Sequence, residues 1–377
     1  MMGSSRSPSF IVHVGPHKTG TTYLQLSFRK LRKELAARGT IFPECWQLAS
    51  GPPGQVPLVS KLRNGQIDLL IPEFATLLAS GADRILISSE DISDLDRAAL
   101  ARLRDLTAGH PIQIIFYVRR WSELMPSAWQ ETIKHGHYQT LPEFMLTHLE
   151  RPEESRLLNF DMRLSVFCEI FGDASVTLVS YNELRDRNID LFQHFAGTFL
   201  GWLNAPTAER LRASNTSRAP AEAELLRALN AMGRAHQIHG SVAIRKAFDR
   251  MEDKTVPAQL AAAMKRHTRN VRLSDNLPAL RRLHESLAEK YNSRTVPARS
   301  SQQLFEPLSR DIEMVGGDYM AELQAGAALR DIFAKIRATL VDAAPIDGQG
   351  SNPGRSVNAG TAPSRRKLQQ GVIATPR

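Results

Sequence analysis

A chain of 377 residues, 42% hydrophobic and 23% charged, can bury more core than one small domain needs, and its composition is that of a globular protein. No apolar run approaches the ~20 residues of a membrane span. The serine-rich start lacks the apolar stretch of a secretory signal, and the two cysteines, Cys45 and Cys168, are too few for a disulfide framework. They read as space-filling thiols of a reducing compartment, and the sequence predicts a cytoplasmic protein. The net charge of +9 falls to +4 once Arg355, Arg365, Arg366, Lys367 and Arg377 are set aside. Those five stand in an acid-free tail rich in Gly, Ser, Pro and Asn, which predicts a solvated, disordered segment and no nucleic-acid partner.

Residues 10–14, Phe-Ile-Val-His-Val, are a short β-branched run ending at Gly15, the pattern of a buried strand. Residues 21–38 predict a helix, with Leu24, Phe28, Leu31 and Leu35 three or four apart and Gly39 as its stop. Residues 40–42 predict a second short strand, and 47–57, with Gly51-Pro52-Pro53-Gly54, a loop. Buried strands are predicted again at 84–88, 112–118 and 176–179, and helices at 95–107, 121–135 and 161–171. Strands alternating with helices imply right-handed crossovers and a mainly parallel sheet with helices on both faces. From about 205 to 340 the strand signals vanish. Helical stretches at 221–231, 257–269 and 277–291 predict a helical layer there, and no repeat of fixed period is present.

The segment Gly15-Pro-His-Lys-Thr-Gly-Thr-Thr22 follows the first strand and opens the first helix. Glycines let a backbone curl round an anion, successive N–H groups then point inward, and a helix N-terminus adds positive potential. The two glycines are spaced as in the GxxxxGK[ST] loop of ordinary ATP and GTP sites, and Thr22 takes the Ser/Thr place. Thr21, however, stands where that loop has its lysine, and the lysine is three residues earlier, at Lys18.

Pro16-His-Lys-Thr-Gly-Thr-Thr-Tyr-Leu24 resembles the 5′-phosphosulfate loop of sulfotransferases that use 3′-phosphoadenosine 5′-phosphosulfate (PAPS), with His17 inserted between proline and lysine. The form running from His13 to Thr22 is similar to the bacterial branch. A second motif accompanies it: the family's 3′-phosphate site is an arginine at a strand end with a serine eight residues on, matched by Arg119 and Ser127. A guanidinium grips phosphate bidentately and a hydroxyl completes the shell; Arg120 is an equally good cation, so the two could exchange roles. Leu178-Val-Ser-Tyr-Asn-Glu-Leu184 resembles the family segment whose tyrosine lies near adenine, which carries over Tyr181 alone because Asn182 departs from it. Tyr23 sits where the family often has a ring-stacking tryptophan. The family's late basic segment is not recognisable, and residues 215–218 are the nearest substitute.

The resemblance spans residues 10–200. It implies an α/β, P-loop-type, mainly parallel sheet flanked by helices, a PAPS-binding core at 1–204; the chain's own pattern adds a helical part at 205–345, expected to complete the acceptor side, and a tail at 346–377. It implies a transferase whose donor, PAPS, is held by His17, Lys18, Thr19, Gly20, Thr21, Thr22, Tyr23, Arg119, Ser127 and Tyr181, with Lys18 reaching the bridging oxygen. No metal is expected. The acceptor hydroxyl needs a general base. Glu90, at the end of a central strand where ligands of open α/β sheets bind, is the first choice; Glu44 after the second strand is the rival, and Asp91 the third. The acceptor, with a carbohydrate or glycolipid as the guess, should lie among residues 46–66, 135–150 and the C-terminal helices. His13 reads as a core histidine, and His135-Gly-His137 lacks a third ligand for a metal. The alternatives are a P-loop kinase or NTPase, which the missing lysine opposes, and a silent nucleotide-binding protein of the same fold. The absence of GxGxxG spacing disfavours a dinucleotide oxidoreductase, and oligomeric state is not legible.

Overall fold

A computed structural model describes residues 7–206, 218–238, 242–297, 303–321 and 323–342. The tail expected at 346–377 and residues 215–217 of the expected late basic segment lie outside these.

The first half alternates as predicted. In chain order it runs β1 (Ser9–Gly15), α1 (Thr21–Lys30), α2 (Arg32–Ala36), β2 (Thr40–Ile41), α3 (Val56–Arg63), α4 (Ile67–Leu78), β3 (Arg84–Ser88), α5 (Arg97–Leu106), β4 (Ile112–Val118), α6 (Trp121–Lys134), α7 (Leu141–Leu149), α8 (Asp161–Phe171), β5 (Val176–Ser180), α9 (Tyr181–Asp186) and α10 (Leu191–Phe199). The helix expected over 21–38 is broken at Leu31, whose φ of −98° and ψ of 23° leave the helical region. Beyond it come α11 (Pro220–Ala235), α12 (Ala243–Arg250), α13 (Thr255–Lys265), β6 (Thr268–Ser274), α14 (Pro278–Tyr291), β7 (Thr295–Val296), β8 (Ser309–Val315) and α15 (Leu323–Asp342).

Six strands form one sheet in the order β2-β3-β1-β4-β5-β7, and every neighbouring pair in it is parallel. Successive side chains of a strand point to opposite faces. Phe10, Val12, Val14, Ile85, Ile87, Ile114, Phe116 and Leu178 therefore pack on one side, under α3, α5, α6 and α8. Ile11, Leu86, Ile115, Tyr117 and Val179 pack on the other, with Leu24 and Phe28 of α1 and Phe192 and Phe195 of α10. Burial on both faces is why these strands read as continuous apolar runs.

The region from 205 to 340 is not purely helical, as the sequence suggested. β6 and β8 pair antiparallel as a separate ribbon, and β7 adds an outer strand to the main sheet. Most ribbon residues are exposed or half-exposed, so no hydrophobic run announces them.

Chain order places the site. β1, β2 and β3 build one half of the sheet and β4 crosses to the other side of β1, so the strand order reverses at β1. Ligands of open α/β sheets bind outside the carboxyl ends of strands at such a point. Here those ends carry the loop after β1, Glu90 after β3 and Arg119 after β4.

Candidate active site

The loop after β1 turns through three left-handed residues, Gly15 (φ 83°), Lys18 (φ 71°) and Gly20 (φ 81°). A Cβ on Gly20 would stand 2.4 Å from Leu191 Cδ2 and 3.2 Å from Tyr181 Cε2, and one on Gly15 would stand 3.0 Å from Glu90 Cβ. Both glycines are therefore demanded by close neighbours as well as by φ. Thr19 braces the curl, its hydroxyl donating to the Pro16 carbonyl at 2.6 Å. Gly20 caps α1 without a side-chain acceptor, so the first N–H groups of a ten-residue helix face the loop mouth with no capping oxygen. Thr22 is half-buried in that first turn. Thr21, in the place of the Walker lysine, is only 4% exposed, with its methyl turned toward Gly15.

Lys18, an L residue in the left-handed region, is held at both ends. Its carbonyl accepts from Arg119 Nη1 at 2.5 Å, and its Nζ donates to Glu131 Oε2 at 2.5 Å. Burial lowers the lysine's affinity for its proton, and the Glu131 carboxylate offsets this only in part. The arginine's plane lies over the Tyr181 ring, 5.3 Å from its centroid, so the end of β5 joins the same corner. Ser127 is half-buried on α6. It stands four positions from Glu123 on one side and from Glu131 on the other, which puts all three on one helix face.

Arg119 and Arg120, interchangeable in the sequence, have different surroundings. Arg120 is 1% exposed. Its backbone N–H donates to Asn182 Oδ1 at 2.7 Å, its Nε to the Glu306 carbonyl at 2.5 Å, and its Nη2 to Asp186. It joins β4 to α9 and to the chain near β8. Arg119 faces the loop, and its buried Nε has no hydrogen-bond partner among the described residues. Glu123, 2% exposed, lies within 4 Å of four arginines: Arg119 (3.5 Å), Arg120 (3.8 Å), Arg310 (3.6 Å) and Arg185, whose Nη2 is 2.7 Å away. Burial opposes its charge, but the hydrogen bonds and charges of Arg185, with Arg119 and Asn182, hold its carboxyl below the usual range.

Of the carboxylates predicted as base, Glu90 lies against the loop. Its Oε2 accepts from Gln25 Nε2 at 2.6 Å, and its Oε1 is 3.8 Å from His17 Nδ1. The 47–57 loop reaches the same place, since a Cβ on Gly54 would stand 3.0 Å from Gln25 Nε2. Glu44 is 71% exposed and paired with Arg32, which begins α2 beyond the far end of α1. Asp91 and Asp94 are 3.5 and 3.9 Å from His17 Nε2. Burial works against the charged imidazole of His17, yet the Asp91 hydrogen bond and the charges of Glu90, Asp91 and Asp94 raise its pKa. Burial is the largest single influence, and the carboxylates outweigh it only together.

Tyr23 is turned to α10, its hydroxyl donating to Asp190 at 2.8 Å. His13 is fully buried in the aromatic cluster and shares a 2.8 Å hydrogen bond with Ser88, its register partner; burial lowers its pKa to about 3. Among the described residues no group of three side chains could hold a metal, and no helix is long and apolar enough to cross a membrane. Cys45, expected to fill space, is exposed, and Cys168 is half-buried. Arg218 of the expected late basic segment pairs with Glu222 and with Asp249 at 2.6 Å; Arg310 of β8 is a late cation that reaches Glu123, the carboxylate beside Arg119. A groove of about 620 Å³ between α11, α12 and α13, lined by Leu225, Phe248, Pro257 and Ala261, shares no residue with the loop.

Sequence reasoning missed Gln25, Glu123, Glu131 and Asn182. The stripe of four-residue steps through Ser127 could have shown Glu123 and Glu131; no local pattern marks the other two.

No protein-family model and no curated protein matches the chain. Among solved structures it is similar to the crystal structure of a sulfotransferase from Alicyclobacillus acidocaldarius, at 14% identity and a TM-score of 0.35, over 61% of this chain and 96% of that one. A likeness that slight carries no chemistry across.

Proposed function

We propose that this protein is a sulfotransferase that moves a sulfuryl group from PAPS to an acceptor hydroxyl. One observation carries the reading: the displaced lysine and the strand-end arginine, 101 residues apart in sequence, meet at the switch point of the sheet through the Arg119–Lys18 carbonyl bond. The groups present suit such a donor. An uncapped helix N-terminus and left-handed loop would receive the 5′-phosphosulfate, and Arg119, whose Nε has no hydrogen-bond partner among the described residues, and Ser127 would receive the 3′-phosphate. Tyr181 would border the adenine.

In the reaction the acceptor oxygen forms a bond to sulfur as the bond from sulfur to the bridging phosphate oxygen breaks. The products are a sulfate ester, adenosine 3′,5′-bisphosphate and a proton. Negative charge gathers on the leaving phosphate, where fixed cations and N–H donors contribute most. Lys18 is the cation for that oxygen. Glu90, beside the loop and held by Gln25, is the base for the acceptor proton. The acceptor bears a hydroxyl, and carbohydrates and glycolipids are the class to screen first.

Calorimetric titration with adenosine 3′,5′-bisphosphate, and separately with ATP–magnesium, tests the reading. Micromolar or tighter binding of the bisphosphate, weakened about 10- to 100-fold in Lys18→Ala and in Arg119→Ala, is the expected result. Preference for ATP–magnesium would sink it in favour of a P-loop kinase or NTPase.

A further inference from the structure

A lysine meant to meet an anion should have its charge free, and Lys18 does not. Its ammonium lies 2.5 Å from Glu131 Oε2, on a side chain 24% exposed facing one 34% exposed. Glu131 has two further partners at hand: Lys134 Nζ stands 3.4 Å from Oε2 and His135 Nε2 stands 3.4 Å from Oε1. Burial works against its charge, but His135, Lys18 and Lys134 together hold its carboxyl well below the usual carboxylate range. Glu131 is therefore an anion at every pH near neutrality, placed on the ammonium of the loop.

That placement conflicts with an anionic ligand. A phosphate or sulfuryl oxygen near Lys18 Nζ would stand close to the Glu131 carboxylate, and like charges a few ångströms apart repel even where water screens them. The ammonium has three donors and a flexible stem, so it can turn from one acceptor to another. If it leaves, the Lys134 ammonium remains to neutralise Glu131 and the His135 ring remains beside its other oxygen, so the carboxylate has no need to follow. Arg119 keeps the Lys18 backbone in place throughout, through its carbonyl. Only the side chain must move.

We infer that Glu131 is a positioning residue for Lys18: it holds the ammonium against α6 while the loop is empty and yields it to the anion that fills the loop. Filling the loop and aiming Lys18 are then one event. The inference rests on the phosphosulfate reading only for the identity of that anion.

The test is a double-mutant cycle read by calorimetry, with adenosine 3′,5′-bisphosphate and inorganic pyrophosphate as separate probes. Wild type, Glu131→Gln, Lys18→Ala and the double variant are compared, with Glu131→Ala as a second substitution and thermal unfolding as the check on folding. Loss of the competing carboxylate should tighten binding about fivefold in Glu131→Gln. The gain should vanish in the Lys18→Ala background. In a donor-dependent transfer assay the donor KM should fall while kcat stays within about twofold. A merely structural Glu131 would give weaker binding, and a general charge effect would tighten binding equally without Lys18; either result, or no change, overturns the inference. If wild type takes up pyrophosphate and not the bisphosphate, the sulfotransferase reading fails and the cycle is judged on pyrophosphate by the same criteria. If it takes up neither, both fall.

Discussion

Arg119 donates to the carbonyl oxygen of Lys18 at 2.5 Å, so the end of β4 fixes the loop's single left-handed residue other than glycine. One guanidinium thus serves two ends of the site, the backbone under the lysine and the corner formed with Glu123 and Tyr181. Its neighbour Arg120 serves the fold. The two substitutions should separate accordingly. Arg119→Ala should weaken adenosine 3′,5′-bisphosphate binding about 10- to 100-fold, the worth of a charge-assisted contact, with unfolding little changed. Arg120→Ala removes the partner of Asp186 and of the Glu306 carbonyl from a buried position, and should cost on the order of 3 kcal/mol of stability. Calorimetry and denaturant unfolding on both variants check this; reversed outcomes would exchange the roles.

The two carboxylates predicted as base differ in what they touch. Glu90 packs on Gly15 and is oriented by Gln25, while Glu44 is mostly exposed beside Arg32. Glu90→Gln should lower kcat for sulfuryl transfer about 100-fold, and Glu44→Gln should leave it within about twofold. Full turnover in Glu90→Gln removes it as the base.

What the sequence disclosed follows from where the chemistry is written. β1, β3, β4 and β5 are buried on both faces and so spell themselves as apolar runs. The curl of the Lys18 loop and the place of Arg119 at a strand end are legible because backbone curl and strand end are written in contiguous residues. Arg119 and Arg120 were indistinguishable because their difference lies in which distant groups, Lys18 or Asp186, each guanidinium meets. β6 and β8 went unseen because Arg269, Arg272, Arg310 and Glu313 alternate with few apolar residues on a mostly exposed ribbon. Glu131 and Asn182 look like solvated polar residues until the fold brings Lys18 and Glu123 to them.

His17 stands among Glu90, Asp91 and Asp94, and its pKa is raised from 6.5. A raised folded-state value means that the charged imidazole contributes stability fully present below about pH 6.5 and lost as pH rises through the folded midpoint. An NMR titration should therefore place the His17 midpoint above that of a free imidazole, and Asp91→Asn should move it down. A midpoint at or below the free value would show that burial outweighs the carboxylates.

Asp275, at the end of β6, is 2% exposed and caps α6 from outside: Oδ1 accepts from the Ser122 N–H at 2.8 Å, and Oδ2 from the Ser122 hydroxyl at 2.8 Å and the Leu308 N–H at 3.1 Å. The ribbon thereby fixes the start of the helix that follows Arg119 and carries Ser127 and Glu131. Asp275→Ala would leave buried donors without an acceptor, a loss of about 2–4 kcal/mol by denaturant unfolding. If the cap also aims α6, bisphosphate binding measured well below the unfolding transition should weaken about tenfold. A lowered stability with an unchanged Kd would separate the ribbon from the site, because a cap that only holds the fold together leaves the folded molecules binding as before.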